Sequence, residues 1–200
     1  MLTLHADSRG HALVVKGAWI ADAGMLEELA AAHPGARVRQ WPGILTPGLI
    51  NLYGNELLEE AYHPDPREAD ELGTEPLTGD ALAALALDDA RWGASARRGL
   101  QRMLAHGTVR VACEELTNQA VRAAVQRSRL GMGRIGRPAG PPALDPYDSA
   151  HPVEFAEPRE RHSAARFAVF DVRDETELAE RGAGTCVATV VDGRLVYRRR

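Results

Sequence analysis

Lysine is almost absent from this chain. Lys16 is the only one, and arginine supplies the remainder of the 24 basic residues. The bias reads as the codon usage of a GC-rich genome, not as an arginine code for phosphate. The bases are outnumbered by 28 acids, giving a net charge of −4 and a pI near 6.0. That balance weighs against a general nucleic-acid binder, which presents a strongly basic face. Cysteine is scarce too: Cys113 and Cys186 stand far apart with no C-x-x-C pair, so no disulfide framework is expected and a reducing cytoplasm is the default compartment. No apolar run approaches the roughly 18 residues of a membrane span. Met1 to Lys16 lacks the basic-then-apolar pattern of a secretory leader. The expectation is a soluble, cytoplasmic protein without membrane or nucleic-acid partners. There is no G-x-S-x-G elbow and no P-loop, which removes the serine hydrolase and NTPase readings.

What is present is an ordinary globular composition, 44% apolar and 26% charged over 200 residues. A chain this long buries roughly 70% of its unfolded surface and needs no staple. Residues 1–22 read as short strands broken at Gly10 and Gly17. Gly24 to Ala32 reads as a helix ended by Pro34-Gly35, and Arg37 to Trp41 as a strand. Ile44 to Leu52 reads as a turn at Pro47-Gly48 feeding a buried strand. Asn55 to Ala61 suits a short helix, and residues 62–78 a solvated acidic loop. Thr78 is placed to cap one long helix over 79–106, ended at Gly107. Thr108 to Ala112 is a β-branched strand, and Leu116 to Leu130 a helix. Residues 131–162 carry Pro138, Pro141, Pro142, Pro146, Pro152 and Pro158 and read as a long, at best partly ordered connection. A strand (Arg166 to Val172), a short helix (Glu175 to Glu180) and a hairpin turning at Asp192-Gly193 close the chain.

Gly131-Met132-Gly133-Arg134-Ile135-Gly136 matches G-x-G-x-x-G, but a helix precedes it and Pro138 follows. The dinucleotide motif needs the reverse order, so a flexible linker fits better. The seven histidines show no H-x-H or H-E-x-x-H spacing. His63 beside Asp65 reads as a solvated loop residue, with a weak metal contact as the sharper option. His106, at a helix end, interacts with the C-terminal dipole. Arg198-Arg199-Arg200 reads as a solvated tail, with an acidic or phosphate contact as the rarer reading.

Two stretches resemble the amidohydrolase family, in particular its imidazolonepropionase and aminodeoxyfutalosine deaminase branch. The first is Leu45-Thr46-Pro47-Gly48-Leu49-Ile50-Asn51-Leu52-Tyr53-Gly54-Asn55, similar to the family's Pro-Gly-apolar-apolar-Asp-x-His-x-His run at the end of the first barrel strand. The second is Ala168-Val169-Phe170-Asp171 with Cys186 to Tyr197, similar to its closing strands. The resemblance implies an α/β fold with a small discontinuous β-sandwich, the composite domain, from residues 1–50 and 163–200. A truncated βα barrel remnant (51–130) and a Pro/Gly-rich connection (131–162) would complete it. It also implies hydrolysis of non-peptide C–N bonds with zinc or another divalent metal. The family histidines, however, fall on Tyr53 and Asn55, and its Asp on Asn51. A zinc site needs about three imidazole or carboxylate ligands, and a full barrel takes roughly 250 residues. No catalytic residue, metal ligand or cofactor is therefore assigned.

Residues just past the C-terminal ends of barrel strands face the active site. Here they are Tyr53 and Asn55 after one strand, and Cys113, Glu114 and Glu115 after the next. If the strands pair, these could converge on a ligand pocket, with Glu114 and Glu115 raising the Cys113 pKa. Three readings follow: a non-catalytic binding or accessory subunit; a metal-dependent C–N hydrolase or deaminase gathering His63, His106 or His151, or completed across an oligomer interface; and a structural remnant with no ligand. Open strand edges invite pairing, so a homodimer or a partner enzyme is expected to cover them.

Overall fold

The computed structural model describes residues 1–134, 138–156 and 159–199. Pro158, Arg200 and the Ile135-Gly136 half of the glycine motif lie outside the described residues. In chain order, β1 (Leu2–Ala6), β2 (His11–Lys16) and β3 (Trp19–Met25) lead into α1 (Leu26–Ala32) and β4 (Arg37–Gln40). β5 (Ile44–Pro47), β6 (Leu49–Asn51) and α2 (Gly54–Leu58) follow, then the short helices α3 (Ala69–Leu72) and α4 (Gly79–Ala83). Next come α5 (Asp89–Ala105), β7 (Thr108–Cys113), α6 (Gln119–Ser128), β8 (Gly131–Arg134) and β9 (Glu154–Phe155). The chain closes with β10 (Phe167–Phe170), α7 (Glu175–Arg181), β11 (Cys186–Val191) and β12 (Arg194–Arg198).

The architecture is mixed α/β, with three four-stranded sheets and no closed barrel among the described residues. The first sheet has the order β3-β2-β1-β4 and the second β12-β11-β10-β5. Leu13, Val15 and Ile20 of the first pack against Leu45, Phe167, Val169, Ala188 and Val190 of the second, a shared apolar layer drawn from both ends of the sequence. Alternation of side chains along each strand supplies that inner face. The other face of the first sheet, Leu4, Ala6, Ala12 and Val14, is covered by α1 through Leu29. Asp7 locks the two sheets together. Its Oδ1 accepts the backbone N–H groups of Arg9 and His11, each at 2.9 Å, and its Oδ2 accepts that of Leu45 at 3.2 Å. Gly43 is needed at the joint: its φ is +69°, and a Cβ there would collide with the Phe170 carbonyl.

The third sheet has the order β8-β7-β6-β9. β6, β7 and β8 run parallel, with α5 and α6 in the crossovers, and β9 pairs antiparallel at the far edge. Leu100, Met103 and Leu104 of α5 and Val121, Ala124 and Val125 of α6 bury against Val109, Val111 and Cys113 of β7.

Four sequence expectations need correction. The single helix over 79–106 is two helices. The Asp88 side chain accepts the Arg91 N–H at 2.8 Å and starts α5 afresh. The helix expected from Leu116 begins at Gln119, because Asn118 caps it by accepting from Ala120 and Val121. The Pro-rich connection is not featureless: Gly131–Arg134 is strand β8, Glu154–Phe155 is β9, and Pro146–Asp148 forms a turn of 3-10 helix capped by Asp145. His63 is not solvated. It is buried, with its backbone N–H on Ser95 Oγ at 2.8 Å and its ring Nε2 2.8 Å from the Leu57 carbonyl oxygen.

Candidate functional site

Parallel strands β6, β7 and β8 end together, and the candidate residues lie at or just past those ends: Tyr53 before α2 and Asn55 within it, Cys113 closing β7, and Glu114 and Glu115 after it. β6 leads through Asn51 into Tyr53, both buried. The Asn51 side chain accepts the Tyr53 N–H at 3.0 Å and donates to the Ala143 carbonyl at 2.9 Å. Tyr53 turns its hydroxyl to the Pro-rich segment, 3.4 Å from the Ala139 carbonyl and 3.2 Å from Ser149 Oγ. Asn55 turns the other way. Its Oδ1 accepts the Glu114 N–H at 2.8 Å and its Nδ2 donates to Glu59 at 3.4 Å. Glu59 in turn accepts the Asn118 N–H at 2.6 Å, at the start of α6. Gly54 permits this closeness: a Cβ there would stand 2.7 Å from both Cys113 Cβ and Val111 Cγ1.

The structure therefore brings Asn55 together with Cys113 and Glu114, and places Tyr53 apart from them, against 139–149. The Cys113 thiol is buried and its pKa is raised, first by that burial and then by Glu59 and Glu56. The direction matches the sequence reading, but the carboxylates responsible are those of α2 and its exit, not Glu114 and Glu115. A thiol held protonated is a poor nucleophile.

Cys113, Glu114 and Glu115 open onto a hollow of about 300 Å³, completed by Leu116 and by Arg122, Gln126, Met132 and Arg134. The last four escaped sequence reasoning. Arg122 and Gln126 are one helical turn apart, a spacing that was legible, but β8 was not recognised as a strand. Arg122 donates Nη1 to the Leu116 and Thr117 carbonyls at 2.8 and 3.0 Å, which fixes the lip of the hollow. A wider groove of about 630 Å³ lies between α2, the end of α5 and Pro141–Asp148. Three of its charged groups are already engaged: Glu75 with Arg102 at 3.2 Å, and Asp145 with the N–H groups of Tyr147 and Gly184.

The donors at the end of β6 do not fit a divalent transition metal. Asn51 and Asn55 offer amides already tied to backbone, and the Tyr53 hydroxyl is already held against the Ala139 carbonyl and Ser149. His63, His106 and His151 each hold one ring nitrogen against a backbone carbonyl: Leu57, Arg102 and Ala139 respectively. Among the described residues no three His, Cys, Asp or Glu side chains gather as a metal-binding group. No described helix is long and apolar enough to cross a membrane.

No protein-family model matches the sequence, and a search of curated proteins finds no match. Among solved structures the fold is similar in part to the ochratoxinase of A. niger. The TM-score is 0.43 at 18% identity, over 66% of this chain and 30% of that one. It is also similar in part to guanine deaminase from Bradyrhizobium japonicum, with a TM-score of 0.38 at 20% identity, over 62% of this chain and 27% of that one. The chain spans less than a third of either neighbour. Likenesses this shallow carry no activity across.

Proposed function

We propose that this chain is a non-catalytic binding module on an amidohydrolase-like frame, and that it holds a small organic ligand in the hollow at the ends of β7 and β8. The observation that supports this is the fate of the side chains at the end of β6. Tyr53 and Asn55 stand where the resemblance expects the metal-binding histidines, and Asn51 where it expects the Asp; all three side chains are hydrogen-bonded to neighbouring segments. What is left open beside them is a concave site lined by the apolar side chains of Leu116 and Met132 and by a few polar groups. That is the usual make-up of a small-molecule pocket.

The resemblance directs the choice of ligands to nucleosides and imidazolone-type heterocycles. A ligand that binds only the folded state raises the melting temperature with concentration. Thermal shift with such a panel should give a saturable rise for at least one compound. Gln126→Trp, at an exposed position on α6, fills the hollow and should abolish that rise while leaving the unliganded melting temperature within about a degree. Elemental analysis of the purified protein should find no stoichiometric zinc, iron or manganese. No shift with any compound, a shift indifferent to Gln126→Trp, or one bound metal per chain would each overturn the proposal.

A further inference from the structure

β4 ends the first sheet, hydrogen-bonded to β1 on one side only. The Trp41 N–H donates to the Ala6 carbonyl at 2.9 Å, so alternation along the strand turns the backbone groups of Arg37 and Arg39 toward β1 and those of Val38 and Gln40 outward. Val38 is 49% exposed. Two residues thus present a bare N–H and C=O each, the template for adding a strand.

The side chains around this edge are charged in one sense. Arg37 and Arg39 lie in register with Thr3 and His5, on the face toward the second sheet. On the same side the Arg198 guanidinium lies over the Trp41 ring, 5.8 Å from its centroid. Elsewhere several guanidinium groups find carboxylates, among them Arg9 with Glu175, Arg91 with Glu68, Arg98 with Asp65, Arg166 with Asp192 and Arg181 with Glu177, whereas others stand singly among the described residues. Arg37, Arg39 and Arg198 make no ion pair among the described residues, in a protein whose acids outnumber its bases. Charge on an edge strand ordinarily discourages pairing. Charge of one sign discourages it selectively: it repels a basic strand and admits an acidic one.

We infer that the β4 edge is a docking site for an extended acidic peptide segment of a partner protein, added as a fifth strand to the first sheet. Acidic residues at alternate positions would face Arg37, Arg39 and Arg198. The intervening positions would lie beside Val38 and Gln40 and suit β-branched apolar side chains.

The test uses the full chain and a labelled synthetic peptide of seven residues alternating Glu and Val, with its Lys-for-Glu counterpart as control. Anisotropy should show saturable binding of the acidic peptide alone, and hydrogen exchange should slow at the Val38 and Gln40 amides. Arg37→Glu with Arg39→Glu should weaken binding at least tenfold. Val38→Pro deletes one outward N–H that has no internal partner and should weaken it at least fivefold with an unchanged circular dichroism spectrum. If Val38→Pro does not fold, the arginine variants and the exchange pattern decide. No saturation up to millimolar peptide, equal binding of the basic peptide, or binding without protection at Val38 and Gln40 would refute the inference. So would equal affinity for a DNA oligonucleotide, which would mark the patch as a general polyanion surface.

Discussion

Asn55 Oδ1 accepts the backbone N–H of Glu114 at 2.8 Å, and so the turns after β6 and β7 are joined by one buried amide. Without it the Glu114 N–H loses its acceptor beneath α2. Asn55→Ala should destabilise the protein by about 1–3 kcal/mol. Asn55→Asp, which keeps the acceptor, should recover more than half of that. Urea titrations of the three proteins measure it, and equal loss in both variants would show that shape rather than the acceptor matters.

Asp7 is the corresponding clamp of the sandwich. Three backbone N–H groups converge on a carboxylate with no side-chain exposure. Asp7→Ala should cost about 2–4 kcal/mol, because it orphans those donors and removes an acid beside the half-buried Arg159 guanidinium. Asp7→Asn should fall between it and the parent. A loss below half a kcal/mol, read by denaturant unfolding, would refute the clamp.

His5 makes stability depend on pH. Its ring lies buried between Trp41 and Phe167, and its Nδ1 accepts the Trp41 Nε1–H at 3.1 Å. Burial, assisted by the Arg39 charge, lowers its pKa from the ordinary 6.5 to about 4. A depressed folded-state pKa means the unfolded chain binds the proton first. The contribution is complete above pH 6.5 and is lost as pH falls toward 4, by at most about 3 kcal/mol. His5→Phe should flatten the unfolding midpoint between pH 6.5 and 4. An unchanged slope in that variant would reassign the effect to another group.

Both thiols should be silent in the native state. Cys186 is fully buried with its pKa pushed up to about 11, and Cys113 is buried with a raised pKa. A disulfide-exchange reagent at pH 8 should titrate two thiols in denaturant and fewer than 0.2 in native buffer over minutes, by an order-of-magnitude expectation from thiolate fraction. Fast native reaction of one thiol, lost in Cys113→Ser, would make that group a working nucleophile.

The sequence showed the sandwich more clearly than the βα layer, for reasons that differ by residue. The β11–β12 hairpin was legible because Asp192 and Gly193, at φ +49° and +71°, are residues that accept a primed turn. Strand β8 was hidden. Gly131 and Gly133 have no strand preference, and only parallel pairing with β7 holds them extended. The break before α5 was masked by Ala83-Ala84-Leu85-Ala86-Leu87, strong helix formers whose pattern runs straight through it. His63 read as loop because its neighbours are polar, while α5 covers it through Ser95 and Gly99, partners more than thirty residues away. Asn55 and Cys113 were identified as neighbours from strand logic alone. Tyr53 parted from Asn55 because α2 begins between them, at Gly54: two residues apart share a side on a strand but lie roughly 200° apart on a helix.

The pairing of β5 with β10 sets Leu45 against Val169 and Ile44 against Phe170. During synthesis Ile44 and Leu45 leave the ribosome long before their partners exist, and more than a hundred residues must be made before the second sheet can close. Contacts of such separation form slowly, and an apolar strand waiting for its neighbour is a sticky one. The first sheet can fold early, but half of its inner face stays bare until the last quarter of the chain arrives. Yield in a cell should therefore depend more on chaperone supply and growth temperature than the final stability would suggest.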